Sequence, residues 1–79
     1  MHYYVYILFS QSLNRYYIGH SEDIPKRIAE HKIRKNLGAS DWELKYSEKY
    51  GNRGEAMKRE TAIKKMKSRK YVETLIAGI

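Results

Sequence analysis

Apolar positions run almost unbroken from Tyr3 to Phe9 and recur in a shorter cluster at Tyr16, Tyr17 and Ile18. These residues are mostly aromatic or β-branched, which predicts strands over 3–9 and 16–20. The first run is apolar on both alternations, so it is expected to be central and covered on both faces. Ser10 to Asn14 reads as a turn, and so short a connection implies an antiparallel hairpin. The pattern then changes period. Ser21-Glu22-Asp23 opens a helix, with Asp23 as cap, Pro25 in the first turn, and Ile24 and Ile28 as an apolar stripe. That helix is expected to fray over Lys35-Asn36-Leu37 and to stop at Gly38. Residues 39–42 read as loop. From 43 to 50, Leu44, Tyr46, Glu48 and Tyr50 alternate with Lys45, Ser47 and Lys49, predicting a third strand. Gly51-Asn52-Arg53-Gly54 is a turn. A helix is expected over 55–67, with Ala56, Met57, Glu60, Ile63, Lys64, Met66 and Lys67 near one side. Ser68 caps a last helix through Leu75, whose apolar side is Tyr71, Val72, Leu75 and Ile76. The expected fold is α/β in the α+β sense: a three-stranded antiparallel sheet flanked by helices, in the order β-β-α-β-α-α. It forms one domain over 1–79, without repeats or linkers.

Size and charge sharpen this picture. The chain has 79 residues. A domain so small buries only about 60% of its unfolded surface. With no cysteine, neither disulfides nor thiolate metal sites are available. Eight tyrosines, Phe9 and Trp42 must supply much of the packing area. Sixteen Lys and Arg against nine Asp and Glu give a net charge of +7. A small basic domain commonly meets a polyanion, nucleic acid being the usual one; a charge that merely keeps the protein in solution is the competing reading. The run from Tyr3 to Phe9 is too short to span a membrane and too tyrosine-rich for a signal-peptide core. No membrane partner is expected, and the expected location is the cytoplasm.

Short motifs stand in order along this framework: Tyr4-Val5-Tyr6, then Tyr16-Tyr17-Ile18-Gly19-His20-Ser21, then Arg27 and His31, then Glu60 within Lys58-Arg59-Glu60-Thr61-Ala62-Ile63-Lys64. Each is weak alone, but the ordered series resembles the GIY-YIG nuclease superfamily across almost the whole chain, and most of all its small stand-alone bacterial members. Two departures are visible. Tyr4 replaces the glycine of the first motif, and no asparagine follows Glu60, although some superfamily nucleases carry one there.

The resemblance implies a divalent-metal-dependent endonuclease acting on nucleic acid, with DNA the expected substrate and Mg²⁺ or Mn²⁺ the cofactor. It also implies site residues. Tyr6 and Tyr17 are catalytic candidates, because a phenol can orient or deprotonate water or bond a phosphate oxygen. With an unperturbed pKa of ~10, a base role needs a nearby cation. On spacing alone both rings read as core aromatics; the motif series reverses that balance. Arg27 would grip the phosphate. His31, four residues on, would serve phosphate or leaving group, or else border the Ile24–Ile28 stripe. Glu60 would hold the metal, the plainer alternative being an ion pair with Lys64. His20, Lys58, Lys64, Lys65, Lys67 and Lys70 are candidate nucleic-acid contacts, with a solvated basic face as the alternative. Trp42 and Tyr46 are expected to close the core, with stacking on a base as the alternative. The rival function is a non-cleaving nucleic-acid binding module using the same basic face. A body this small is expected to need a delivery partner or a second copy of itself to cut two strands.

Overall fold

The computed structural model of the protein describes residues 2–34 and 38–78. The elements are β1 (Tyr3–Ser10), β2 (Arg15–Ser21), α1 (Ile24–Arg34), β3 (Trp42–Tyr50), α2 (Arg53–Lys65) and α3 (Arg69–Ala77). They follow the expected order. The expected fraying of α1 at Lys35, Asn36 and Leu37 lies outside the described residues. Gly38 has φ +87°, the left-handed region where glycine is at ease.

The sheet is antiparallel in the order β2-β1-β3. The apolar run is therefore central, as its lack of a polar face demands. Alternation along β1 divides the core into two layers. Val5 and Ile7 pack with Ala56, Ile63 and Val72 on the side of α2 and α3. Tyr6 and Leu8 pack with Ile24 and Trp42 on the side of α1. Val5, Ile7 and Leu8 are fully buried, and each such side chain contributes roughly 1.5–3 kcal/mol.

Side-chain caps start the helices. Asp23 accepts from the Lys26 amide at 3.1 Å, Asn52 from Glu55 at 2.9 Å, and Ser68 from Tyr71 at 3.1 Å. Asn52 moves the start of α2 two residues ahead of the expected position.

The third strand departs from simple alternation. Its register against β1 shifts between Ile7, opposite Tyr46, and Leu8, opposite Leu44. Leu44 therefore leaves the face shared by Tyr46, Glu48 and Tyr50, and 44% of it stays exposed. The same bulge brings Trp42, expected in the loop, into the strand opposite Ser10, where it is buried on the α1 side.

Candidate active site at the edge strand

Tyr6 on β1 lies opposite Gly19 on the edge strand β2. Paired residues share a face, so the Tyr6 ring passes over Gly19. A β-carbon at position 19 would stand 2.8 Å from the Tyr6 hydroxyl, 2.9 Å from its Cζ and 3.0 Å from Cε1 of Tyr17. The absent side chain is the space that the hydroxyl occupies. The rings of Tyr6 and Tyr17 stand 6.2 Å apart at 40°. Tyr17 in turn meets His31 edge-on at 5.3 Å and Trp42 at 6.4 Å.

Arg27, in the first turn of α1, has its guanidinium beside the Tyr6 hydroxyl and interacts with it, yet 44% of its side chain remains exposed. Burial and the neighbouring Tyr17 phenol push Tyr6 up to about 12, against the opposing pull of Arg27. Tyr6 thus keeps its proton at neutral pH. It is suited to aim a guanidinium and poorly suited to take a proton from water. His31 is 1% exposed and lies behind Tyr17. The helix turns it inward while Arg27 faces out.

A second cluster lies across β2. Val5, paired with His20, faces the α2 layer, and His20 reaches toward α2. Its Nδ1 is 2.6 Å from Oε1 of Glu60, while Lys64 Nζ is 2.8 Å from Oε2. Burial alone would raise the Glu60 carboxyl, but Lys64 and His20 hold it below its ordinary value. Glu60 is therefore ionised, and Nδ1 of His20 is the donor. The Glu60 charge adds a small upward push to the Tyr6 phenol. An open cleft of about 890 Å³ reaches one member of each cluster, Arg27 and His20, and is also lined by Tyr4, Ser21, Lys26 and Arg53; Tyr6, Tyr17 and Glu60 lie behind its walls.

Among the described residues no group of three or more His, Asp or Glu forms a metal cage. Glu60 is nonetheless an ionised oxygen donor with 17% of its side chain exposed. One such carboxylate suits a hydrated Mg²⁺, which keeps several waters. The donor set fits a divalent cation held by Glu60, in competition with Lys64.

The expected basic patch divides. Arg59 joins Glu48 through bonds of 2.9 and 3.1 Å and donates to Tyr71 at 3.3 Å. Arg69 bonds Asn14 at 2.9 and 2.6 Å and lies over the Tyr16 ring at 5.1 Å. Both are structural. Lys58 and Lys65 lie on the outer face of α2 beside exposed Met57. Lys67 lies with Lys64 near the β1–β2 turn, and Lys70 is exposed on α3. None of these four lysines lines the cleft. The cleft's own cations, Lys26 and Arg53, carry no motif in the sequence; only their flanking positions, at the start of α1 and of α2, hint at them.

Buried Tyr6, half-buried Tyr17, Arg27 beside them and the ionised Glu60 across β2 are gathered at the edge strand of one small α+β domain. Residues 2–72 match the GIY-YIG catalytic domain, and the chain belongs to that family. GIY-YIG nucleases generally use divalent metals. The fold is similar to the solution NMR structure of the UPF0213 protein BH0048 from Bacillus halodurans, at 30% identity and a TM-score of 0.62. That match covers 98% of this chain and 84% of the other. No curated protein matches. No helix among the described residues is long and apolar enough to cross a membrane.

Proposed function

We propose that this protein is a divalent-metal-dependent endonuclease that hydrolyses phosphodiester bonds of nucleic acid, DNA above all. The observation that carries the reading is the pairing of Arg27 with the Tyr6 hydroxyl on one wall of a cleft whose other wall holds His20 against Glu60. Arg27 binds the scissile phosphate and stabilises the charge that develops on it. Tyr6 fixes the guanidinium, and the half-buried Tyr17 orients the attacking water. His31 positions Tyr17 from behind. Glu60 would hold Mg²⁺ or Mn²⁺, which would supply charge neutralisation for the phosphate and the leaving oxygen. Lys58, Lys64, Lys65, Lys67 and Lys70 attract the polyanion over the surface beyond the cleft. A partner that delivers the domain, or a second copy, would supply cleavage of both strands.

One observation favours the rival, a binding module that does not cut: both oxygens of Glu60 already have cationic or imidazole partners. Cleavage of a panel of labelled DNA and RNA, with Mg²⁺, Mn²⁺ or chelator, separates the two. Metal-dependent products that fall about 10²-fold or more in Arg27→Ala and vanish in Glu60→Ala are expected. A salt-sensitive mobility shift kept in both variants, without products at any metal concentration, would leave the binding module standing.

A further inference from the structure

Nδ1 of His20 lies 2.6 Å from Oε1 of Glu60, the two side chains 23% and 17% exposed beside the cleft. A carboxylate alone is a hard oxygen donor that suits Mg²⁺. An imidazole nitrogen suits the later first-row metals and gains little with Mg²⁺. The pair is set for bidentate capture. A cation bound at about 2.0–2.2 Å to a nitrogen and an oxygen at right angles needs them about 3 Å apart. The observed separation has to widen by only a few tenths of an ångström, and the cation takes the place of the proton now shared between the two groups. Lys64, on the other carboxylate oxygen, is 52% exposed and has solvent to swing into.

We infer that His20 is a second protein ligand of the cation at Glu60, and that this mixed nitrogen–oxygen pair makes the site select Mn²⁺ and later transition ions over Mg²⁺. This rests on the metal-binding reading of Glu60. The remaining coordination positions stay open to water and a phosphate oxygen. His20 is then no phosphate contact, and the site's metal preference is set by a residue of the edge strand outside the α2 helix.

Electron spin-echo spectroscopy of Mn²⁺ bound to the protein tests it, because it detects a directly bonded ¹⁴N. The wild type should show histidine nitrogen modulation. His20→Gln, which keeps a hydrogen-bond donor for Glu60, should lose it and weaken Mn²⁺ binding by about tenfold or more, with Mg²⁺ binding almost unchanged. His20→Ala, with circular dichroism to verify its fold, should behave the same way. Mn²⁺ that binds in a manner abolished by Glu60→Gln but carries no nitrogen signal would overturn the inference and leave the Glu60 reading intact. Mn²⁺ binding indifferent to Glu60→Gln would overturn both.

Discussion

Gly19 is where sterics and chemistry meet in a single residue. Its backbone needs no left-handed angle; what it supplies is room. Tyr6 is 1% exposed and held by core neighbours on both sides, so its ring cannot retreat from a new methyl group 2.8 Å from its hydroxyl. Gly19→Ala is expected to cost about 1–3 kcal/mol by overpacking, read by urea denaturation, and to move Arg27 off its partner. Tyr6→Phe is the gentler probe. It removes one hydroxyl, should cost only about 1 kcal/mol of stability, and should lower cleavage in a turnover assay by loosening Arg27. The places of Tyr6, Tyr17, Arg27 and Glu60 on β1, β2, α1 and α2 were legible in the chain because each stands at a fixed point in an ordered series. Which of the two phenols the sheet buries was not: Tyr6 on the central strand is 1% exposed and Tyr17 on the edge strand only half-buried. The inward turn of His31 was one of two readings left open: four-residue spacing puts it near both Arg27 and the Ile24–Ile28 stripe without deciding which side it takes.

At the scale of elements, β3, α2 and α3 are joined by Glu48. Its carboxylate receives Arg59 from α2 and the hydroxyls of Tyr46 and Tyr50 from its own strand, while Arg59 also bonds Tyr71 on α3. Burial works to raise the Glu48 carboxyl, but these donors hold it below its ordinary value. A carboxyl depressed in the folded state adds stability above its unfolded pKa, ordinarily 4.5, and loses it as pH falls through the lower folded value. Thermal melts should therefore drop steeply below about pH 4.5. Glu48→Gln should be less stable at neutral pH by about 2 kcal/mol and lose less on acidification. The acid–aromatic alternation Tyr46, Glu48, Tyr50 was readable as one face of a strand. That Arg59 completes it was not, because in the sequence it looks like one more member of a basic run. The bulge on β3 was hidden too, since a one-residue slip leaves no composition signal. Helix starts fared better: Ser68→Ala should cost about 1 kcal/mol of unfolding free energy in urea, the usual value of a lost cap.

For the whole molecule, the net charge of +7 is spread outside the cleft more than within it, where Lys26, Arg27 and Arg53 share the walls with Glu22, Asp23 and Glu30. Attraction and chemistry should then separate. The double variant Lys58→Ala, Lys65→Ala is expected to reduce the salt slope of nucleic-acid binding by up to about 2 and leave the saturated rate unchanged, measured by titration at several salt concentrations and by turnover at excess substrate. The bulge that carries Trp42 into the sheet has an optical consequence. It is the chain's single tryptophan, 3% exposed, with an indole nitrogen that has no hydrogen-bond partner among the described residues, and its ring lies 6.4 Å from Tyr17. The protein thus carries one lamp, dry and set against the cluster behind the cleft. Its emission should be blue-shifted in the folded state, and a substrate or ion that displaces Tyr17 should dim or brighten it without any attached dye.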